Sequence, residues 1–593
     1  MAYAAPVDDI VFALKTAVGL ENLIASGIYE GLDEETVRAV IEEAGKFGAE
    51  VLEPLNRVGD KTTSKLDNGV VATPPGWKEA YRQFADGGWS ALPCPEEFGG
   101  QGLPSVVSMA ACEIWNASNL AFGLCPLLTQ GAIDALHSDG SEELKAAYLP
   151  KMISGEWTGT MNLTEPQAGS DLAAVKTKAV RQGDGTYRLF GTKIFITYGE
   201  HELTDNIVHM VLARLPDAPA GTKGISLFLV PKKLLNTDGS PGQRNDVVCA
   251  GLEHKLGIHA SPTCVMKFGE KDGAVGYLVG QENRGLNTMF IMMNAARLAV
   301  GVQGVAVAER ATQQALAYAN ERRQGRTASS KPGEMGPIVE HADIRRALMT
   351  MKALTQAARC ICLVTARELD VSHRATNEDE RQAAAAKAAL LTPIAKAFST
   401  DIGCEVASLG VQVHGGMGFI EETGAAQYYR DARILPIYEG TNGIQAIDLV
   451  VRKLPLGGGA VMKSYITEMR QTLGEVQASN RPEFGRMAER MGETLTALEE
   501  APAFMAKALG ANLEVALAGA TPYLRLFGLA SGGHYLAKGA LSAARSANGE
   551  GGNAVALARF FAENISTAGP GLAATVTTGA DAILGLEPAR LSA

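Results

Sequence analysis

The stretch "TYRLFGTKIFIT", Thr186 to Thr197, decides the fold class because it opens a run of strands in a mainly helical chain. Its β-branched and aromatic residues alternate with other residues, as they do in half-buried strands. The runs "NIVHMVLARL", "GISLFLVPK", "TCVMKFG" and "VGYLVG" follow, separated by turns rich in Gly, Pro and Asp. No helical pattern lies between these runs, so they predict an antiparallel β domain rather than a parallel βαβ sheet.

Helical patterns flank the predicted β domain on both sides. Before it, apolar side chains recur about every 3.6 residues from Asp33 to Leu55, with Asp33 as the N-cap. The apolar stretch 114–133 is too polar for a membrane span and predicts a buried helix with a break near Pro126. After the β domain, long helices are predicted at residues 287–322, 340–371 and 380–409, which suit an antiparallel bundle.

These patterns predict an α+β fold that is mainly α. The predicted domains are an N-terminal helical domain (1–158), a middle antiparallel β domain (159–282), a C-terminal four-helix bundle (283–454) and an extra C-terminal helical domain (455–593). The glycine-rich stretch "LPLGGGA", Leu454 to Ala460, is the predicted linker before the last domain.

Composition excludes several classes of protein. The net charge of −11 disfavours nucleic acid as the main partner, because phosphate binding depends on basic surface. The eight cysteines contain no Cys-x-x-Cys pair or Cys/His cluster at zinc spacing, so we expect reduced thiols, no metal site and a cytoplasmic location. The N-terminal "MAYAAPVDDIVFALK" lacks a basic segment followed by an apolar core, which argues against a signal peptide.

Two motifs in the β region place hydroxyl groups at predicted strand ends. "MNLTEPQAGSDL" contributes Thr164 and Ser170, and Asp171 can cap the next turn. In "GTKIFITYGE", Phe195 and Thr197 alternate with isoleucines and therefore share one face of a strand. A flat heteroaromatic ligand would suit that face, and the edge of a core would suit it equally.

One acid stands out in "RDARILPIYEGTNGIQAIDL", Arg430 to Leu449. Glu439 follows the apolar run 434–437 and precedes Gly440. By itself it is either a solvated loop carboxylate or a base whose proton affinity the apolar run raises by excluding water. Earlier, "VQVHGGMGF", Val411 to Phe419, is either a plain helix end or a turn whose backbone amides meet a ligand.

The order of five motifs resembles the acyl-CoA dehydrogenase family. They are "TEPQAGSD", "GTKIFIT", "MMNAARLAVGVQGVAVAERA" with "YANERRQGR", "VQVHGGMGF" and "RDARILPIYEGTNGIQ". The resemblance covers about Asp33 to Leu454. The C-terminal extension and the variants "MNLTEPQAGSDL", "IFITYGEHELTDNIVH" and "KLGIHASPTCVM" look most like the 3-methylmercaptopropionyl-CoA dehydrogenase branch of that family.

The resemblance implies FAD as the cofactor, which performs the hydride chemistry while the protein supplies position and electrostatics. The residues implied to bind it are Met161, Leu163, Thr164, Ser170, Phe195, Thr197, Arg322, Gln324, Gln412, Gly416, Thr441 and Gly443. Many family members carry Trp where this chain has Phe195, and glutamine where it has Gly443. "ERRQGR" also departs from the commoner aromatic-containing version around Gln324.

The resemblance further implies that Glu439 removes the α-proton of an acyl-CoA thioester while the β-hydrogen leaves as hydride. Ser170, Arg297, Tyr438 and Gly440 are the implied substrate-binding residues. Arg297 sits in a mostly apolar helix, where an unpaired charge is costly, so an internal salt bridge is the alternative to a CoA contact. The apolar run 434–437 is expected to form a dry wall around the base.

Three functions follow as candidates. The first is an FAD-dependent acyl-CoA dehydrogenase that passes electrons to an electron-transfer flavoprotein. The second is an acyl-CoA oxidase using O₂, and the third is a non-enzymatic or nucleic-acid-binding flavoprotein on the same fold. The net charge and the intact Glu439 weigh against the third. We expect a soluble homodimer, and leave short methylthio-acyl and straight medium-chain substrates open.

Overall fold

A computed structural model describes residues 3–546 and 551–592. The chain divides into two compact units, each with its own core. The helical unit comprises residues 1–46, 105–117 and 297–593, and the sheet unit comprises residues 47–104 and 118–296. These units combine segments distant in sequence, whereas the four predicted domains follow chain order; the predicted domain boundaries stay predictions.

The helices and strands follow one another in three blocks. The first contains α1 (Val7–Ala13), α2 (Leu20–Ala25), α3 (Glu34–Phe47), α4 (Glu53–Lys61), β1 (Lys65–Asp67), β2 (Val70–Ala72), α5 (Trp77–Asp86), α6 (Ser105–Ser118), α7 (Leu120–Asp139) and α8 (Glu142–Ile153). The second contains β3 (Trp157–Asn162), β4 (Lys178–Arg181), β5 (Tyr187–Thr197), β6 (Asn206–Arg214), β7 (Ile225–Pro231), β8 (Lys233–Leu235), β9 (Pro241–Arg244), β10 (Val247–Leu252), β11 (Thr263–Phe268) and β12 (Ala274–Val279). The third contains α9 (Gly285–Glu321), α10 (Ala342–Arg374), α11 (Glu378–His414), α12 (Ala425–Ala432), α13 (Asn442–Asp448), α14 (Ala460–Ser479), α15 (Met487–Ala511), α16 (Leu513–Ala518), α17 (Ala520–Arg545), α18 (Ala554–Phe560), α19 (Gly569–Thr578) and α20 (Ala580–Leu584).

The main sheet of the sheet unit follows the path β10–β11–β5–β12–β7–β6–β3, and β4 pairs with both β5 and β6. Its neighbours are antiparallel except where β3 and β4 pair in parallel with β6. Strand β7 is buried along its whole length, which explains its continuous apolar sequence. A mainly antiparallel sheet between blocks of helices confirms the predicted fold class.

The first predicted helix begins where its cap was expected. The backbone N–H of Thr36 donates to Oδ1 of Asp33 at 2.7 Å, which satisfies one of the unpaired donors of the first turn. The helical run does not stop near Leu55 but continues through a π-helical segment, Gly48–Leu52, to Lys61.

The predicted break near Pro126 is wrong, because α7 runs through that proline. One helix ends and the next begins at Asn119, whose backbone is extended (φ −158°, ψ 93°). Its side chain accepts the N–H of Phe122 at 3.1 Å and donates to the carbonyl oxygen of Leu52 at 3.2 Å. A capping asparagine therefore sets the boundary, and the more conspicuous proline is accommodated inside the following helix.

Within the helical unit, two glycines let α9 lie directly against α11. A Cβ atom at Gly301 would lie 2.5 Å from the carbonyl oxygen of Ala395, and one at Gly304 would lie 2.3 Å from that of Ser399. Both distances are shorter than van der Waals contact, so only glycine permits this approach. The approach brings the segment of α9 that starts at Arg297 close to Lys396.

A buried charge cluster ties three helices of the helical unit together. Arg359 on α10 donates to Glu113 on α6 at 2.6 Å and to Glu309 on α9 at 2.8 Å. Burial favours the neutral form of Glu309, but Lys352 and Arg359 outweigh it and lower the pKa of Glu309 to about 2. Since buried charges are tolerated only when they are paired, this cluster fixes the relative positions of α6, α9 and α10.

Within the part of the chain that the structure describes, two helices have the length and apolar composition that a membrane span requires, Gly285–Glu321 and Ala342–Arg374. The most apolar window of each is mostly buried within the protein, as is usual for core helices, so this is weak evidence for a membrane span.

Candidate active site

Glu439 lies in the loop between α12 and α13, and its backbone is in the left-handed region, with φ +56°. A residue with a Cβ atom rarely adopts this conformation unless its surroundings enforce it. The N–H of Asn442 donates to the carbonyl oxygen of Pro436 at 2.9 Å and closes the loop. The side-chain amide of Gln445 lies 3.3 Å from the carbonyl oxygens of both Glu439 and Gly440. These bonds hold the strained residue in place.

The Glu439 side chain lies in an environment suited to a base near neutral pH. Burial of its carboxyl raises its pKa to about 7, while the positive charges of Arg297 and Lys396 oppose that rise. A general base works best when its pKa is close to the operating pH. The alternative of an ordinary solvated loop carboxylate does not fit this environment.

Neither Lys396 nor Asn442, which lie next to Glu439 in the structure, was predicted from the sequence as a residue of the site. Lys396 lies on α11, is fully buried, and donates through Nζ to Oδ1 of Asn442 at 2.8 Å. The Asn442 amide nitrogen donates to Oδ1 of Asp401 at 2.7 Å and to Oγ1 of Thr400 at 3.0 Å. A lone lysine in an Ala-rich helix gives no signal of such a role, because its partner lies 46 residues away.

Arg297 is 5% exposed, and its Nη1 lies 3.7 Å from Oδ2 of the buried Asp448. Burial lowers the pKa of Arg297, and the carboxylates of Asp448 and Glu439 oppose this effect. The structure thus shows the internal ion pair that was the alternative to a CoA contact. The predicted contact with the CoA part of the substrate stays a prediction.

Tyr438 joins a buried chain of polar groups next to the base. Its hydroxyl donates to Oε1 of Gln303 on α9, and Nε2 of Gln303 donates to Oδ1 of Asn116 on α6 at 3.1 Å. Burial and the nearby Glu439 raise the pKa of Tyr438 well above its ordinary value, so the phenol stays neutral. The resemblance implied a substrate contact for Tyr438, which stays a prediction; within the chain the tyrosine packs and donates this hydrogen bond.

The apolar run before Glu439 forms only part of the predicted wall. Leu435 is buried, whereas Ile437 is 50% exposed. The chain turns after Ile434, where the N–H groups of Ile437 and Tyr438 both donate to its carbonyl oxygen. This turn directs successive side chains in different directions, so four consecutive apolar residues cannot all line the same wall.

Each of the residues after Glu439 has its own structural role in the loop. Gly440 has φ +87°, and a Cβ atom there would lie 2.7 Å from Nε2 of Gln445. Thr441 caps α13 by accepting the N–H of Ile444 at 3.3 Å. A Cβ atom at Gly443 would meet nothing closer than 3.9 Å, so that position tolerates a side chain. Their predicted contacts with substrate and FAD are compatible with these features and stay predictions.

In the sheet unit, a buried ion pair anchors the loop Thr164–Asp171, named here the TEPQAGSD loop. Nζ of Lys193 on β5 donates to the carbonyl oxygen of Leu163 at 2.9 Å and to Oε1 of Glu165 at 2.8 Å. The Glu165 carboxylate also accepts the N–H groups of Lys176 and Thr177 at 2.8 and 3.0 Å. The start of the loop and the segment at residues 176–177 are thus tied to one carboxylate.

Both members of this pair are charged at neutral pH. Burial lowers the pKa of Lys193 to about 8, although Glu165 opposes the change. Burial likewise disfavours the Glu165 carboxylate, but Lys193 and the N–H donors prevail and lower its pKa to about 2. A buried pair with this many hydrogen bonds is a rigid structural element.

Phe195 lies in a β-bulge that the alternating sequence did not reveal. The pairing of β11 with β5 shifts between Cys264–Ile196 and Met266–Lys193, so two residues of β5 oppose Val265 alone. Phe195 has φ +60° and is 59% exposed. Bulges re-aim side chains and are frequent beside binding sites. An exposed aromatic ring held this way fits the flat ring of a flavin.

The structure places Thr164 and Leu163 next to this bulge, and the other predicted residues of the sheet unit on β3, on β5 and in the TEPQAGSD loop. The N–H of Ile194 donates to the carbonyl oxygen of Thr164 at 2.9 Å, and Lys193 holds the neighbouring Leu163. Met161 lies in β3 and Thr197 ends β5. Ser170 is exposed at the end of the TEPQAGSD loop, where Asp171 caps the next turn through the N–H of Ala173 at 2.9 Å.

The remaining predicted cofactor residues lie in the helical unit. Arg322 follows α9, and its Nη2 lies 3.4 Å from Oε1 of Gln324. Both side chains are exposed, which leaves the guanidinium free to meet a phosphate. Gln412 is exposed in the last turn of α11, and no heavy atom lies within 4 Å of a Cβ atom built on Gly416. Their contacts with FAD stay predictions.

Comparison with known families matches nearly the whole chain. Residues 34–156, 160–270 and 283–454 match the N-terminal, middle and C-terminal domains of acyl-CoA dehydrogenases. Residues 465–587 match a domain described as acetyl-CoA dehydrogenase C-terminal like. The extension after the linker therefore has a recognised family of its own.

Two characterised relatives cover most of the chain. The 3-methylmercaptopropionyl-CoA dehydrogenase of Ruegeria pomeroyi is 49% identical over 95% of this chain and 96% of its own length. A butyryl-CoA dehydrogenase of Syntrophomonas wolfei is 35% identical over 84% of this chain and 83% of its own length. The first identity confirms the predicted resemblance to the 3-methylmercaptopropionyl-CoA dehydrogenase branch.

A solved structure confirms the fold. Caenorhabditis elegans ACDH-11, in complex with C11-CoA, superposes with a TM-score of 0.78 at 21% identity, covering 95% of this chain and 91% of that one. The domain matches and the 49% identical relative confirm the family resemblance that the motif order indicated. The chain belongs to the acyl-CoA dehydrogenase family, a family of FAD-dependent oxidoreductases.

Proposed function

We propose that this protein oxidises an acyl-CoA thioester to the 2-enoyl-CoA, with Glu439 as the base that takes the α-proton. The observation that carries the proposal is the Glu439 loop, where burial raises the pKa of the carboxyl to about 7. A carboxylate with that proton affinity can accept a proton from a weakly acidic carbon more readily than a solvated one can. Family membership supplies the reaction class.

The proposed step is a concerted loss of two hydrogens. The α C–H bond breaks, its proton passes to a carboxylate oxygen of Glu439, and its electron pair forms the new C=C bond as hydride leaves the β-carbon. FAD, when bound, supplies the hydride acceptor. Hydrogen-bond donors at the thioester oxygen lower the barrier by stabilising the developing enolate. Arg297 and Lys396 keep part of the Glu439 population ionised at neutral pH.

The proposed substrate is 3-methylmercaptopropionyl-CoA or another short- or medium-chain acyl-CoA. The 49% identity to a 3-methylmercaptopropionyl-CoA dehydrogenase over nearly the whole chain supports the first, and the butyryl-CoA dehydrogenase supports a short straight chain. The residues proposed to contact substrate are Ser170, Arg297, Tyr438 and Gly440.

The proposed electron acceptor is an electron-transfer flavoprotein, as is usual for dehydrogenases of this family. We also propose a homodimer, which sedimentation velocity of the holoenzyme would test against a tetramer. All eight cysteines are free, which supports a reducing, cytoplasmic compartment.

An acyl-CoA panel tests the substrate and the acceptor together. The purified yellow protein is mixed anaerobically with 3-methylmercaptopropionyl-CoA and with straight acyl-CoAs of four to sixteen carbons, and flavin bleaching is followed. A dye acceptor then measures turnover. Fast bleaching followed by slow reoxidation in air supports a dehydrogenase, whereas fast reoxidation supports an acyl-CoA oxidase. No bleaching by any acyl-CoA would reject the proposal.

Substituting Glu439 tests the base. We expect Glu439→Gln to lower the rate of flavin bleaching by about 10² to 10⁴-fold, because the amide cannot take the proton. Glu422→Gln is the matched control, since Glu422 is an exposed acid in a nearby turn. An unchanged rate in Glu439→Gln, with normal flavin content, would show that another group is the base.

A further inference from the structure

We propose that Lys396 is a positioning residue for the reaction: it holds the Glu439 loop through Asn442 and supplies a positive charge beside the Glu439 carboxylate. The inference rests on the proposed role of Glu439 as base. All the contacts that support it lie within the helical unit.

The first observation is the hydrogen-bond geometry at Asn442. The amide nitrogen of Asn442 donates to Asp401, Thr400 and the carbonyl oxygen of Ala397, at 2.7, 3.0 and 3.1 Å. All three acceptors lie on α11, which fixes the orientation of the amide and leaves its oxygen for Nζ of Lys396 at 2.8 Å. Both the nitrogen and the oxygen of the Asn442 amide are thereby hydrogen-bonded to α11, and these bonds are named here the Asn442 clamp.

The second observation is that this clamp reaches the base through the backbone. The N–H of Asn442 donates to the carbonyl oxygen of Pro436 at 2.9 Å, so the loop from 436 to 442 closes on the clamped residue. Glu439 is inside that closed loop and has φ +56°. A strained backbone persists only when its surroundings determine it, and the Lys396–Asn442 bond is one of the contacts that do so.

The third observation is the charge environment. Lys396 is fully buried, and burial lowers its pKa to about 7, opposed mainly by the carboxylates of Glu439 and Asp401. Arg297 on α9 acts in the same direction as burial, and the thiol of Cys404 weakly opposes it. On the Glu439 side, Arg297 and Lys396 are the cations that favour the carboxylate, while the neighbouring Tyr438 is neutral.

A purely structural role would not require a cation at this position. A buried ammonium group is costly unless it is fully paired, and its hydrogen bond here goes to a neutral amide rather than a carboxylate. An apolar side chain of similar length would fill the space without that cost. The charge interacts with the carboxylates of Glu439 and Asp401. In the protonated form of Lys396 it favours the ionised form of the base.

The test is the pH dependence of flavin bleaching in the holoenzyme, measured anaerobically by stopped flow with 3-methylmercaptopropionyl-CoA between about pH 5.5 and 9. In the wild type, the rate should rise through a midpoint near the pKa of Glu439, about 7. Lys396 is charged below its own pKa of about 7, and loss of that charge disfavours the Glu439 carboxylate, so Lys396→Met should move the midpoint up by about half a unit to one unit. The rate at pH 7 should fall about two- to fivefold.

Three further variants separate charge from packing. Lys396→Gln is polar but neutral, so it should show the same upward shift. Lys396→Arg keeps the charge and should hold the midpoint within a few tenths of a unit. Thr392→Val is the matched control, because Thr392 lies one turn earlier on α11 and its hydroxyl bonds only to the carbonyl oxygen of Ala388 among the described contacts. It should leave the profile unchanged.

The outcomes distinguish this inference from the proposed function. A lower rate with an unmoved midpoint in both neutral variants would show that Lys396 acts through packing alone and would overturn the inference. An unmoved midpoint and unchanged rate would overturn it as well. If Glu439→Gln bleached at the wild-type rate, the base itself would be misassigned and both proposals would fall. Melting temperatures within about 3 °C of the wild type confirm that the variants are folded.

Discussion

Two loops in this molecule are each anchored by a buried lysine, but the lysines have different partners. In the sheet unit, Lys193 pairs with the Glu165 carboxylate at 2.8 Å and anchors the TEPQAGSD loop. In the helical unit, Lys396 donates to the neutral amide of Asn442 at 2.8 Å and anchors the Glu439 loop. Beside each anchor lies a residue with left-handed backbone, Phe195 in one case and Glu439 in the other.

The difference shows how burial of a charge can serve either rigidity or reactivity. Lys193 satisfies Glu165 directly, so the pKa of that carboxylate falls to about 2 and it stays ionised across the range of pH in which proteins function. Lys396 bonds to Asn442 and not to Glu439, and burial raises the pKa of Glu439 to about 7. One acid is locked in its charged state, and the other can take and release a proton near neutral pH.

The largest expected effect comes from breaking the locked pair. Glu165→Gln leaves the Lys193 ammonium buried without a compensating charge, so we expect a loss of about 3 to 5 kcal/mol in the free energy of unfolding. Chemical denaturation of the holoenzyme measures it, provided that the transition is reversible. The double variant with Lys193→Met should lose less than the sum of the single changes, because it removes both charges.

A surface pair in the same unit gives the control for this substitution. Lys151 and Glu156 lie 2.6 Å apart, but both side chains are about half exposed. Glu156→Gln should therefore cost at most about 1 kcal/mol. Equal losses in Glu165→Gln and Glu156→Gln would mean that the buried pair is not the anchor described here.

A smaller effect is expected from separating the helices behind Glu439. In Gly304→Ala, the new Cβ atom would lie 2.3 Å from the carbonyl oxygen of Ser399, so α9 and α11 must shift. We expect a loss of about 1 to 3 kcal/mol in the free energy of unfolding, with a lower rate of flavin bleaching because Lys396 moves with α11.

The control for this change is a helical glycine with free space around it. No heavy atom lies within 4 Å of a Cβ atom at Gly474 on α14. Gly474→Ala should raise the free energy of unfolding by up to about 1 kcal/mol through helix propensity alone. If Gly304→Ala were equally stabilising, the close approach of α9 and α11 would be incorrect.

The sequence was sufficient to predict the fold class and to single out Glu439. Strands with alternating side chains and helices with a 3.6-residue period are local signals, and the Asp33 cap is equally local. Motif order added the family. The candidate roles of the FAD-binding and substrate-binding residues came from that resemblance, and they remain to be tested.

What the sequence could not predict depends on contacts between distant residues. Lys396 meets Asn442, 46 positions away, and Lys193 meets Glu165, 28 positions away, so no local pattern reveals either bond. The bulge at Phe195 depends on the partner strand and is invisible in the alternation of β5. The helix break at Asn119 has a local signal in the sequence, the capping asparagine itself. Pro126 is the more conspicuous helix breaker, and it led to the wrong predicted position for the break.

The smallest expected effect on stability, and the most specific to ligand binding, is at Phe195. Its ring is 59% exposed, so Phe195→Ala should change the free energy of unfolding of the apo-protein by no more than about 0.5 kcal/mol. Alanine also carries a Cβ atom, so the strain of the left-handed backbone is unchanged. Phe268→Ala on β11, where the ring is 2% exposed, should instead cost about 3 to 5 kcal/mol. If the bulge presents Phe195 to the flavin, Phe195→Ala should lose FAD more readily on dilution, measured as the ratio of flavin to protein absorbance. Retention equal to that of the wild type would show that the exposed ring does not hold FAD.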